Sequence, residues 1–318
     1  MTRRLKKFAL SNYVKNPANS PYESSSASLV RARPAPYASA KRACFSMADW
    51  DPELYHRFRG YRAEPVERML ARLSVERANN IVDLGCGTGE HTVELARRAA
   101  AATAVGLDSS HAMIERALTL RDTLAVELKA RVAFKLGDFR DFAADREYDI
   151  VFSNAVFQWV SDHRATLAQC YRALRPGGSL AVQMPANDRE TAQVTIHALA
   201  NEPAWRDLLG GIRTPSDRSV QSPDVYRAML SAVGFVDVDC HYHTFRHPMG
   251  SPAEVVEWSR ATVLRPYLDA LGANRHESFI DELTSRLEFA YGTSGPIIFQ
   301  FRRLFLFARR NPGPSEAR

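Results

Sequence analysis

Residues 81–89 read Ile-Val-Asp-Leu-Gly-Cys-Gly-Thr-Gly, three glycines placed where a strand gives way to a helix. Ile81, Val82 and Leu84 read as the end of a buried strand. Gly85, Gly87 and Gly89 allow a turn in which backbone and ligand approach with no Cβ between them. Glu90, Val93, Ala96 and Arg97 continue as a helix, so its positive N-terminal end faces the same crevice. Such a loop cradles a nucleotide-like ligand. Its spacing from Asp83, Asp-x-Gly-x-Gly-x-Gly, is one residue shorter between the last glycines than the dinucleotide fingerprint.

Outward from this loop the chain alternates strands and helices. Strands are expected near 80–84, 103–107, 132–136, 147–153 and 178–184. Pro65 can open a helix with Val66, Met69, Leu70 and Leu73 on one face. Another helix starts near Ser161, carries Leu167, Cys170, Tyr171 and Leu174 on one stripe, and ends at the breaker Arg175-Pro176-Gly177-Gly178. This rhythm predicts an α/β fold, a doubly wound sheet whose strands are mostly parallel. After Pro185 it changes. Segments 186–209, 223–233 and 252–291 read as helical, with strands from Gly234 to about Phe245 and from Phe299 to Ala308. Those two strands would form an antiparallel edge, and the helices between them a lid over the carboxyl ends of the strands.

If the glycine loop holds a nucleoside, an acid should end the next strand. Asp108 does so, nineteen residues after Gly89. Its carboxylate can accept from both hydroxyls of a ribose, at ~1.5–3 kcal/mol for each charged hydrogen bond. Capping the following helix is its competing role. The shortened loop resembles motif I of the class I methyltransferases, which bind S-adenosylmethionine. The resemblance implies their Rossmann-like fold and a set of cofactor residues. Asp83, Gly85, Gly87 and Gly89 would surround the methionine part and sugar, with Asp108 and Ser109 at the ribose and Met113 against the adenine. Asp138 and Phe139, in Leu136-Gly137-Asp138-Phe139, would read the adenine. Asn154, closing Asp149-Ile150-Val151-Phe152-Ser153-Asn154, would sit beside the transferable methyl.

Composition narrows the partners. The 318 residues are 45% hydrophobic and 25% charged, ordinary for a globular protein, and no apolar run approaches the ~18 residues of a membrane span. The first 46 residues hold nine Lys and Arg against Glu23 alone, a net +8, whereas the whole chain carries +6, so the remainder sums to −2. That remainder has no electrostatic footprint for nucleic acid. The Ser-, Ala-, Pro- and Arg-rich stretch 1–46 reads as a disordered basic extension. Cys44, Cys86, Cys170 and Cys240 are widely spaced, as reduced thiols of a cytoplasmic protein are. His241 and His243 share a strand face with His247 nearby, but no third ligand is evident; they read as surface or pocket histidines, and no metal is expected.

The acceptor is the finer question. Asn154-Ala155-Val156-Phe157-Gln158-Trp159 is not the Asn/Asp-Pro-Pro-Tyr segment that holds an amine, which favours a small-molecule acceptor. A closer resemblance runs over residues 47–310. Asp49-Trp50-Asp51-Pro52-Glu53-Leu54-Tyr55 with Phe58 and Arg62, Gln183-Met184-Pro185, Trp258 with Leu264-Arg265-Pro266, and Arg303-Leu304-Phe305 together resemble the trans-aconitate 2-methyltransferases. The resemblance implies an S-adenosylmethionine-dependent O-methyltransferase that forms the methyl monoester of trans-aconitate or a related small polycarboxylate. Its core would be 47–185, its helical lid 186–298, its last strand 299–310 and its tail 311–318. A carboxylate is ionised at neutral pH, so no catalytic base is needed and positioning carries the reaction. Arg62, Arg265 and Arg303 would hold the polyanion, with Arg260 a further candidate, and Tyr55, Trp159 and Trp258 would wall the pocket. The alternatives are methylation of a malonyl-type thioester or a quinone precursor, and a cofactor-binding protein without turnover. No nucleic-acid or membrane partner is expected, and a monomer is favoured.

Overall fold

A computed structural model describes residues 58–99, 101–213, 220–260 and 262–313. The extension 1–46 and Tyr55 lie outside the described residues, and the tail is described only to Gly313. Seven strands, β1 (Asn80–Leu84), β2 (Thr103–Asp108), β3 (Val132–Leu136), β4 (Tyr148–Asn154), β5 (Leu174–Pro185), β6 (Phe235–Met249) and β7 (Ile297–Arg310), form one sheet in the order β3-β2-β1-β4-β5-β7-β6. β7 runs antiparallel between β5 and β6, and the other pairs are parallel. Strand order reverses between β1 and β4, so the ligand crevice of such a sheet lies at the carboxyl ends of these two strands.

The helices among the described residues are α1 (Arg59–Leu70), α2 (Glu90–Arg98), α3 (His111–Asp122), α4 (Val126–Lys129), α5 (His163–Ala173) and α6 (Thr191–Ala200). They continue as α7 (Arg206–Leu209), α8 (Pro223–Val233), α9 (Pro252–Arg260), α10 (Arg265–Leu271) and α11 (Ala273–Tyr291). Ile81, Ile150, Phe152, Ala181, Phe305 and Phe307 face α1 and α2, where Val66, Met69, Leu70, Val93 and Leu95 cover them. Val82, Val151, Leu180, Val182, Leu304 and Leu306 face α5 and α8 and pack on Leu167, Cys170, Tyr226 and Leu230. Burial on both faces explains why the central strands read as unbroken apolar runs. α6, α9, α10 and α11 build a third core of their own around Trp258, Tyr267 and Phe279, joined by Met249 at the end of β6 and Phe299 at the start of β7. That places the helical insertion at the carboxyl edge of the sheet.

Several boundaries differ from the sequence expectation. Pro65 lies inside α1 rather than opening it: Arg62 N already donates to Phe58 O at 3.1 Å, and buried Phe58 anchors the start by packing edge-on against Trp258 at 5.2 Å. α5 begins after Asp162, whose carboxylate accepts from Ala165 N at 2.9 Å. Leu174 belongs to β5, not to that helix. The register of β5 against β4 slips between Tyr148 and Ile150, so the breaker Arg175–Gly178 is absorbed as an irregularity within a long strand. Segment 186–209 is two helices and 252–291 is three. β6 and β7 run on to Met249 and back to Ile297 because their ends pair with each other. No described helix is long and apolar enough to cross a membrane.

Candidate active site

The turn after β1 is made by its backbone. Gly85 and Gly87 have φ of 73° and 56°, the left-handed region that costs other residues ~1–2 kcal/mol. A Cβ on Gly85 would lie 2.3 Å from Val156 Cγ2, whereas one on Gly87 would meet nothing within 4 Å. Gly87 is therefore the open rim of the loop, beside the N-terminus of α2. The amides of Gly85 and Cys86 donate to Leu107 O at 2.7 and 3.0 Å, fastening the loop to the tip of β2. Asp108 completes the tie, accepting from Gly87 N and Ser110 N at 2.9 Å each. A carboxylate offers about four acceptor positions, so two remain for a diol. The cap of α3 is Ser110, whose Oγ accepts from Met113 N; Asp108 is left to the crevice.

Asp83 lies beneath this loop. It is buried, accepts from Thr92 Oγ1 at 2.7 Å, and its carboxyl is pushed up to about 7 chiefly by burial, against the Thr92 bond and with help from the charge of Asp108. It braces β1 against α2. Ser109 is exposed and Met113 half-buried on the first turn of α3. Asp138 ends the segment after β3, where the amide and guanidinium of its neighbour Arg140 both bind it, and Phe139 stacks on Phe157 at 6.2 Å. A base amino group reaching Asp138 would share it with Arg140.

The other half of the crevice is made of side chains. Asn154 ends β4 and is in register with Gln183 of β5, which is in register with Phe305 of β7; Arg303 pairs with Pro185 one step further out. Gln183 Oε1 accepts from Arg303 Nη1 at 3.2 Å, and both residues are buried. The guanidinium of Arg303 sits 4.5 Å from the Phe301 ring, and burial, followed by the nearby charge of Arg62, pushes it down to about 9 against the opposing charge of Glu64. Arg62 lies 4.9 Å over the Trp258 ring. Trp258 stacks on His247 at 5.6 Å, and Tyr61 stacks on the same imidazole at 4.5 Å. His247 is 1% exposed and burial pushes it down to about 4. Among the described residues, Asn154 Oδ1, Gln183 Nε2, Arg303 Nε and both His247 nitrogens have no hydrogen-bond partner. Leaving a buried polar atom unpaired costs ~1–3 kcal/mol, so this many in one place mark a site shaped for a polar ligand.

Arg62, Trp258 and Arg303 thus lie close together. Arg265 faces Asp269 on its own helix at 3.8 Å, and Arg260 faces Glu257 at 2.9 Å. Trp159 is 57% exposed on a short 3-10 turn. Of the three histidines, His241 donates from Nδ1 to Asp239 and lies on Phe305, His243 packs on Phe245, and His247 alone joins Arg303 and Trp258. Gln183 was missing from the expected site. A lone amide inside the apolar run Leu180-Ala181-Val182-Gln183-Met184 is the signal that could have flagged it.

Residues 76–221 match the family described as a methyltransferase domain. A trans-aconitate 2-methyltransferase of Variovorax paradoxus is 36% identical over 268 residues, covering 83% of this chain and 99% of that protein. One from Escherichia coli is 36% identical over 275 residues, again 83% of this chain and 99% of the relative. Among solved structures, the YcgJ protein from Bacillus subtilis aligns with a TM-score of 0.53 at 16% identity, over 78% of this chain and all of the other, a likeness of fold.

Proposed function

The chain belongs to the trans-aconitate 2-methyltransferase family, and on that premise we propose that it is an S-adenosylmethionine-dependent O-methyltransferase esterifying one carboxylate of trans-aconitate or a closely related small polycarboxylate. The observation that carries the acceptor assignment is Arg303, a buried guanidinium whose hydrogen-bond partner is an amide rather than an acid, with Arg62 beside it. A buried guanidinium bonded to an amide, with Glu64 acting on it through charge alone, is expensive unless a ligand adds negative charge. A thioester or quinone precursor would bring no negative charge to Arg303.

The residues at the glycine turn fit the cofactor. Gly87 leaves its rim open, Asp108 keeps acceptor positions for a ribose, and Asn154 Oδ1 is unpaired at the strand tip. When bound, S-adenosylmethionine supplies an electrophilic methyl group on a sulfonium. The chain's own work is binding and alignment. Arg62 and Arg303 neutralise the polyanion; Trp258 and Tyr61 close the apolar sides around it. No residue has to remove a proton, because the acceptor is already a carboxylate at neutral pH. Holding two reactants in line is worth ~7–11 kcal/mol.

The test is methyl transfer against a panel of di- and tricarboxylic acids, with mass spectrometry of the products. A single added methyl on trans-aconitate, faster than on monocarboxylates, is expected. Transfer to none of the acids would overturn the reading.

A further inference from the structure

Gln183 is fully buried, yet only one end of its amide is used. Arg303 Nη1 fixes the Oε1 end, so the Nε2 end is turned the other way, and there it has no acceptor among the described residues. In register one strand over, ~4.8 Å away, is Asn154 with its own unpaired Oδ1. The strand tips therefore present a neutral donor nearest the crevice of the glycine turn and guanidinium donors further out.

That order has a chemical consequence. In the transfer, one carboxylate oxygen forms a bond to the methyl carbon as the carbon–sulfur bond breaks; the electron pair stays on sulfur and no proton moves. The reacting carboxylate loses its charge on the way to the ester. A guanidinium bound to it would hold the charged ground state more tightly than the transition state and so oppose the step. A neutral amide donor loses far less. The remote carboxylates keep their charge throughout, and there a guanidinium carries no such penalty.

Resting on the polycarboxylate reading above, we propose that Gln183 is the residue that grips and selects the carboxylate to be esterified, through Nε2, while Arg303 and Arg62 hold the carboxylates that do not react. The division of labour makes Gln183 a determinant of turnover and of which monoester forms. The arginines determine which acids bind.

Gln183→Met, close in length and without a donor, tests this in the full chain. Acceptor kcat falls 10- to 100-fold with KM changed less than about threefold, and the single monoester becomes a mixture resolvable by chromatography and NMR. Gln183→Glu keeps an oxygen for Arg303 but sets a negative charge at the free end. Its kcat falls further, more than 100-fold, while its melting temperature stays at or above the wild-type value. This second variant carries the test should the first fold poorly. Wild-type kcat and one unchanged ester in either variant overturn the proposal, as does a loss confined to KM. Wild-type protein that esterifies no acid overturns the functional reading itself, an outcome distinct from an active wild type matched by active Gln183 variants.

Discussion

The two halves of the crevice are built from different material. Around the glycine turn the groups offered to a ligand are backbone amides and one carboxylate, tied together by short local bonds such as Gly87 N to Asp108 and Cys86 N to Leu107 O. Around Arg303 they are side chains from α1, β4, β5, β6, α9 and β7, several with a buried polar atom unpaired among the described residues. The first half is satisfied by itself and adds to the stability of the fold. The second half is satisfied by what it binds, and until then it works against the fold. One surface therefore has no room for an added atom at Gly85, and the other tolerates almost any isosteric loss except the loss of its substrate.

The contrast is broken or upheld most strongly at Arg303. Arg303→Met removes a buried charge whose hydrogen-bond partner is an amide rather than a carboxylate, a change that is often neutral or stabilising. It also removes the donor for a remote carboxylate. We expect kcat/KM for the acceptor to fall about 10³-fold, roughly 4 kcal/mol. Cofactor affinity by calorimetry should stay within about twofold, and the melting temperature should not drop. A melting temperature lowered together with cofactor affinity would mean that Arg303 supports the fold as the glycine turn does.

At the turn the signs reverse. Gly85→Ala combines left-handed strain with a contact that Val156 must yield, and a loss of about 3 kcal/mol in chemical denaturation is expected. Gly87→Ala adds its methyl to open space and should lose only about 1 kcal/mol of stability. Calorimetry should nonetheless show S-adenosylmethionine bound more than tenfold more weakly, because the added methyl occupies the rim. Equal cofactor binding by Gly87→Ala and wild type would remove that rim from the site.

The same contrast governs what could be read in the sequence. Gly85, Gly87 and Gly89 are legible because a backbone-built turn is written in nearly consecutive residues, Asp108 because it ends the next strand, and the strand–turn–helix around them fixes the doubly wound sheet. Arg62, Trp258 and Arg303 were reachable only through resemblance, since nothing in their own neighbourhoods shows that β7 lies beside β5 under α1. Gln183 is legible only as part of a motif and His247 only as a surface or pocket histidine, neither with a definite role, for a related reason. Their meaning lies in burial, and a polar residue in a strand reveals its unpaired atoms only when the neighbouring strands are in place. Asp138, expected at the adenine, also binds Arg140 two residues on, a local partner that the Gly-Asp turn does not announce. Pro65 misled because tertiary anchoring at Phe58 outweighs the hydrogen bond that proline forfeits.

His247 gives the smallest and cleanest of these contrasts. Its folded-state value of about 4 lies below the unfolded 6.5, mainly through burial and then through the charge of Arg303, so the unfolded chain takes up the proton first as pH falls. The stability that neutral His247 confers is complete above pH 6.5 and drains away between 6.5 and 4. At pH 5 the loss amounts to about 2 kcal/mol, at ~1.4 kcal/mol per pH unit. His247→Phe keeps a flat ring against Tyr61 and Trp258 and cannot titrate. Denaturation curves should already favour the variant at pH 7.5, since it removes two unpaired nitrogens, and the gap should widen by about 2 kcal/mol at pH 5. His91, His163 and His243, also held below the ordinary range chiefly by burial, are present in both proteins and cancel in the difference. A gap that stays constant from pH 7.5 to 5 would mean that the imidazole is not held neutral by its surroundings. The acceptor half would then be less at odds with the fold than its unpaired atoms imply.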